Sequence, residues 1–249
     1  MIFPLPPVPH ALLRLCFVLA LALPGQMVAA QKVFYRVGSP KAPLQTAHQV
    51  DSVVQALTQR FSKSGLTLTS REIRTVTGPD TIIHEVVLSA ANAAVMANRA
   101  KLAAFVGKPL PAFTLPDLAG QPVNSQSLLG HPVVINMWFA ACAPCVAEMP
   151  ALNKIQTEQA GSNVVFLALT YEESSKVRFF LRRHRFNFRH LPNARAYCEQ
   201  FTTSYPVSLF VDRKGIVRRI EEGMAPVTGQ PGEVNENQFR AALESITQP

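Results

Sequence analysis

A chain of 249 residues, 48% hydrophobic and 16% charged, carries ample material for a folded core and does not belong to the disordered class. The net charge of +8 favours anionic surfaces or partners without naming one, and scattered Lys and Arg on a soluble basic protein account for it most simply.

Residues 1–30 have the make-up of a cleaved signal peptide. Arg14 is the only charged residue there, Leu15 to Leu23 is a nearly unbroken apolar run, and Pro24, Gly25 and Gln26 end it. Val28-Ala29-Ala30 supplies the small residues of a cleavage site, with maturation expected near Ala30–Gln31. The apolar run falls short of the about 20 residues that span a bilayer. Cys16 lies inside that run, which argues against a lipid-modified cysteine. An uncleaved anchor is the alternative, because Ile2 to Pro9 is also apolar. The expectation is an exported protein, periplasmic or otherwise extracytoplasmic.

Residues 31–104 read as a small α+β domain. Lys32 to Val37 is strand-like, and Gly38-Ser39-Pro40 closes it. Val50, Val53, Val54, Leu57 and Phe61 recur at helical spacing and predict a helix over Thr46–Ser62, stopped near Gly65. Strands are predicted at Leu66–Val76 and Thr81–Leu88, around the turn Gly78-Pro79-Asp80. The alanine-rich stretch Ala90–Phe105 predicts a helix, read as a spacer.

From Gly107 the texture changes. Lys108 to Pro116 is extended and proline-punctuated, and Gly120 to Val123 reads as the return of a hairpin. Pro132–Trp138 has almost no polar face, as expected for a central strand covered on both sides. A helix over Ala143–Gln159, a strand over Val164–Leu169 and a helix over Ser174–His184 follow. Next come a short strand at Phe186–Leu191 and a short helix at Ala194–Phe201. An antiparallel pair, Val207–Val211 and Ile216–Ile220, and a helix over Asn235–Ile246 complete an α/β pattern for residues 105–249.

Cys142-Ala143-Pro144-Cys145 falls between the buried strand and a helix. Cys142 at a helix N-terminus faces free N–H groups and the positive end of the dipole, which favour a thiolate, the nucleophile of disulfide exchange. Cys145, one turn further in, suits the resolving thiol. Pro144 is tolerated in a first turn. A bridge closing so short a loop would staple little, so the pair argues for chemistry over structure. C-x-x-C is also half a zinc site, yet Cys198, His184 and His190 are scattered singly, and no metal is expected.

Val133 to Pro150, with Gly107–Pro116 and Gly120–Gly130 before it and Tyr205 to Gly223 after it, resembles the TlpA-like disulfide reductases of the thioredoxin superfamily. The resemblance spans about residues 107–246. It implies a thioredoxin-like fold, a central mixed sheet flanked by helices, preceded here by the small α+β domain. It further implies that Cys142 attacks and Cys145 resolves, that Glu148 tunes the cysteines and relays protons, and that Pro206 is a cis-proline preceded by Tyr205 against the dithiol. Tyr205, Pro206 and Trp138 become candidate substrate-binding residues, and Pro150 a helix-kinking proline. The implied partners are disulfide-containing exported proteins and a membrane dithiol electron donor, with transient membrane association and a place in cytochrome c biogenesis, and without any cofactor. Ala141 stands where the family usually carries tryptophan, which bears on access to Cys142 and on the redox potential.

Cys198 reads as a small buried hydrophobe on a short helix. Lys176, Arg178, Arg182, Arg183, Arg185 and Arg189 read as a solvated face, with docking of an acidic partner as the alternative; nucleic acid is not expected for an exported protein. Two competing functions remain. A peroxiredoxin-type peroxidase wants one peroxide-reactive cysteine after a threonine, unlike Ala140-Ala141-Cys142, and a metal carrier would use the same two thiols.

Overall fold

The computed structural model describes residues 31–38, 41–225 and 233–248. The signal-peptide reading of residues 1–30 lies outside them. The chain opens with strand β1 (Lys32–Val37), helix α1 (Ala47–Ser62), and strands β2 (Thr67–Thr77) and β3 (Thr81–Ala91). Thr46 starts α1 with a capping box: its side chain accepts from Gln49 N–H, and the Gln49 side chain accepts from Thr46 N–H at 2.9 Å. Gly65, at φ +67°, turns the chain out of the helix, a conformation that only glycine adopts freely. The sheet order is β1-β3-β2, with β3 parallel to β1 and antiparallel to β2. No residue of α1 is fully buried, so this unit has a thin core.

Helix α2 (Ala93–Ala103) begins three residues later than the alanine content suggests. Ala90 and Ala91 pair with Leu68 and Thr67 in the sheet, and the Asn92 side chain caps the helix by accepting from Val95 N–H at 3.0 Å. Nor is α2 a free spacer. Leu102 is buried in the core of the following unit, and Phe105 packs on Phe201 with ring centroids 4.4 Å apart.

A short hairpin, β4 (Thr114–Pro116) and β5 (Pro122–Asn124), leads into a 3-10 turn at Ser125–Leu128 that the sequence did not announce. The main sheet then alternates with helices: β6 (Val133–Met137), α3 (Ala143–Glu158), β7 (Val165–Leu169), α4 (Ser174–Leu181), β8 (Arg189–Leu191), α5 (Arg195–Phe201), β9 (Val207–Val211), β10 (Val217–Glu221) and α6 (Asn237–Thr247). Its order is β10-β9-β6-β7-β8, with β7 and β8 running parallel to β6 and β9 antiparallel to it. This is the central mixed sheet flanked by helices that the resemblance implies.

Every residue of β6 is buried, because both faces of the sheet are covered. Val134 joins the core beneath α3, α4 and α6, together with Leu152, Phe180 and Phe239. Val133, Ile135 and Met137 point to the opposite core, with Leu102, Tyr197 and Phe201. The two-residue period therefore decides which helix each side chain meets.

Helix α4 is shorter than predicted and ends at Leu181. Arg185 lies beyond it, where its Nε donates to Asn187 Oδ1, and Lys176, Arg178, Arg182, Arg183, Arg185 and Arg189 are all exposed, as a solvated face requires. Arg182 and Arg183 stack over the exposed ring of Phe179, 4.8 and 5.2 Å from its centroid.

Leu102→Ala tests the docking of α2. Removing a fully packed leucine costs about 2–5 kcal/mol, so the variant should melt well below the parent in a thermal scan. A parent-like Tm would show α2 to be undocked in solution.

Candidate active site

Cys142 is the N-cap of α3, and its Sγ accepts the Cys145 N–H at 3.2 Å. The two cysteines are joined as a disulfide, with Cα atoms 5.2 Å apart, and both are buried. Pro144 occupies the first helical turn, where a missing N–H leaves nothing unpaired, and Pro150 lies inside the helix. The loop that delivers Cys142 is held from the side. Ala140 N–H donates to Glu172 Oε2 at 2.8 Å, and the other carboxylate oxygen of Glu172 lies 2.6 Å from Lys176 Nζ. Sequence reasoning missed Glu172, which carries no motif of its own.

Glu148 follows Cys145 by three residues and so shares its side of α3. It is only 2% exposed. Asn136 Nδ2 donates to its Oε1 at 3.0 Å, and Met224 N–H donates to its Oε2 at 3.1 Å. Burial dominates over these two bonds and pushes the carboxyl up to about 7. Asn136 pairs across the sheet with Ser208, and its amide also donates to Ser208 Oγ at 3.0 Å. A polar pair inside two apolar strands thus sets one amide against the carboxyl.

The Tyr205–Pro206 peptide is cis. Gly223 packs against the same proline: at φ +76° it places its backbone so close that an added Cβ would lie 2.8 Å from Pro206 Cγ and 3.5 Å from Glu148 Oε2. Cys145, Glu148, Pro206 and the 223–224 backbone are therefore one neighbourhood. Tyr205 faces a half-buried aromatic group, with its ring centroid 5.6 Å from Phe139 and 5.8 Å from Tyr171. Arg195 lies over the Tyr171 ring at 4.6 Å. Burial holds the Tyr205 phenol well above the ordinary tyrosine range, so it stays a neutral hydroxyl.

Trp138 lies deeper in the core that the cysteines share. It was expected among the substrate-binding residues, yet it is 0% exposed, packed against Phe180, Phe186 and His190 at 4.9, 5.7 and 5.7 Å. It supports the end of β6 from within the core instead of meeting a substrate. Cys198 is a buried free thiol on α5, in the core on the opposite face of the sheet, and burial pushes it up to about 12.

Residues 106–220 match the model of the AhpC/TSA family. The thioredoxin-like protein YneN of Bacillus subtilis (strain 168) is 33% identical over 121 residues, which is 47% of this chain and 71% of that protein. The thiol-disulfide oxidoreductase ResA of Bacillus thuringiensis (strain Al Hakam) is 28% identical over 148 residues, 57% of this chain and 79% of the relative. The thiol:disulfide interchange protein DsbE of Pseudomonas fluorescens biotype C is 29% identical over 119 residues, 45% of this chain and 64% of the relative.

Two outcomes follow from this geometry. Between the ordinary carboxylate range and about pH 7 the folded oxidised protein holds a proton on Glu148 that the unfolded chain has lost. Stability therefore falls as pH rises through that window, by on the order of 3 kcal/mol from this group. His190, which burial holds below the usual histidine range, contributes the opposite slope. Comparison with Glu148→Gln isolates the glutamate: urea unfolding at several pH values should show a flatter profile in the variant. An equally steep profile in both would remove the buried-acid assignment. Gly223→Ala meets both a left-handed φ and the Pro206 ring, and should cost about 2–3 kcal/mol in denaturant unfolding.

Proposed function

The chain belongs to the TlpA-like thiol–disulfide oxidoreductases of the thioredoxin superfamily, and we propose that it works outside the cytoplasm as a reductase of exported protein disulfides, through Cys142 and Cys145. The observation that carries this reading is the disulfide-bonded pair at the head of α3, next to the buried Glu148 and cis-Pro206. Export is supported by the composition of residues 1–30.

In the reduced protein, the Cys142 thiolate would attack one sulfur of a substrate disulfide. A Cys142–substrate disulfide forms, the substrate S–S bond breaks, and the first substrate thiolate leaves. Cys145 then loses its proton and attacks Cys142 Sγ. The Cys142–Cys145 bond forms and the second substrate thiolate departs, so the substrate gains two electrons and the protein loses two. Glu148, protonatable near neutral pH and on the same side of α3, is suited to take the Cys145 proton. A membrane dithiol donor would reverse these steps, leaving as a disulfide and restoring both thiols. The cis peptide presents the backbone beside Pro206 to an extended substrate segment, which could pair with it in strand fashion. Tyr205 would flank that segment.

A peroxiredoxin-type peroxidase is the second reading, favoured by the match to the AhpC/TSA family over residues 106–220. The paired thiols and the alanines at 140 and 141 support exchange instead.

Reduction of insulin disulfides by the chemically reduced protein should vanish in Cys142→Ser, while Cys145→Ser should accumulate a mixed disulfide visible on a non-reducing gel. Full activity in both variants would sink the assignment. Hydrogen peroxide consumption with a thiol donor should stay at background. The reduction potential of the pair should lie near about −270 mV, as for a reductant, and a value near about −120 mV would mark an oxidant.

A further inference from the structure

Residues 31–105 lie outside the family-model match, yet α2 reaches both backbone segments that complete the site. Asn98 Oδ1 lies 2.8 Å from the Thr202 hydroxyl, which is buried and itself accepts Ser204 N–H at 2.8 Å. That turn runs directly into Tyr205 and cis-Pro206. One residue on, Arg99 Nε donates to Glu222 Oε2 at 2.7 Å, and Arg99 Nη1 reaches Thr69 Oγ1 of β2 at 3.4 Å. Glu222 precedes Gly223, whose backbone rests on Pro206, and Met224, whose amide holds Glu148. A half-exposed ion pair such as Arg99–Glu222 adds little to global stability. Its effect lies in where it fixes the chain.

We propose that the amino-terminal unit acts on the dithiol's surroundings through α2, with Asn98 and Arg99 as positioning residues that brace segments 202–206 and 221–224 around Pro206 and Glu148. The inference rests on the thiol–disulfide reading only for its kinetic consequence. The Met224 N–H bond favours ionised Glu148, so a brace that keeps this amide in place keeps the carboxyl from rising further. Among the described residues, the titratable groups nearest Glu148 in the fold are the two cysteines, Tyr205, Glu221 beside Arg219, and Glu222 beside Arg99; further along α3 and β10, Lys154, Glu158 and Arg218 are paired with Glu236, Arg240 and Asp212. In the oxidised protein the cysteines do not titrate.

The decisive measurement is the titration midpoint of the Glu148 carboxyl carbon by NMR in the oxidised full chain, the signal being identified by its loss in Glu148→Gln. Arg99→Ala should raise the midpoint by about one pH unit, tenfold in proton affinity. Glu222→Gln, a mild change at a half-exposed site, should raise it similarly, and the charge-swapped pair Arg99→Glu with Glu222→Arg should bring it back. Asn98→Ala should raise KM for insulin about fivefold with kcat little changed. Folded Arg99→Ala and Glu222→Gln proteins with a parent-like midpoint, even if less stable, would overturn the brace at 221–224. A parent-like KM in Asn98→Ala would overturn it at 202–206. If the cysteine variants showed that other groups carry the exchange, the carboxyl titration would still decide the bracing by itself.

Discussion

The contact on which the site depends is the one between the Cys142 sulfur and the first turn of α3. Helix N-caps usually place a hydroxyl or carboxylate oxygen where orphan N–H groups converge, and here a sulfur takes that place, accepting the Cys145 amide. When the bridge opens, the same amides and the helix dipole remain to favour a negative sulfur. Nothing about this works unless α3 starts where it does. That start is set by β6, whose five buried residues fix the strand between two cores, and by the Glu172 carboxylate, which catches the loop at Ala140. Strand, loop and cap form one chain of cause from an apolar sequence run to a chemically biased sulfur.

The second sulfur has the opposite surroundings. Behind Cys145 the protein buries a carboxyl with, among the described residues, two hydrogen-bond donors, one of them a main-chain amide, and so leaves it poised between charged and neutral states. Asn136 and Ser208 interrupt strands that are otherwise apolar, a local departure from good core composition that places the Asn136 amide between Ser208 and Glu148. The Cys142 sulfur is thus favoured as an anion by backbone dipoles, and the Cys145 sulfur sits on the same helix side as a group able to exchange a proton. Two cysteines three residues apart acquire different surroundings because one lies at the helix end and the other inside it.

Much of this was legible in the sequence because it is local. The apolar run of β6, the C-x-x-C after it, the period of α1 with its Thr46 cap, and the turn before β3 all announce themselves within a few residues. Boundaries set by tertiary pairing did not. Ala90 and Ala91 look helical by composition but are held in the sheet by Leu68 and Thr67, and α4 stops at Leu181 although the basic pattern continues. Ser208 is brought to Asn136 by the pairing of β9 with β6, across 72 residues of chain. Met224 contributes a backbone amide, for which no residue type is diagnostic. Trp138 was misplaced for a related reason. Its position in the motif says that it is near the cysteines, and it does share their core, but its ring is fully buried against Phe180, Phe186 and His190.

Cys198 has a practical meaning of its own. It is sealed in the core across the sheet from the Cys142–Cys145 pair, with its thiol held almost wholly protonated at neutral pH. Alkylating reagents applied to the folded, reduced protein should favour Cys142, whose thiolate the head of α3 stabilises, and pass this one by. Its labelling then becomes a clock for global opening, a built-in reporter of unfolding on a thiol separate from the pair at the head of α3.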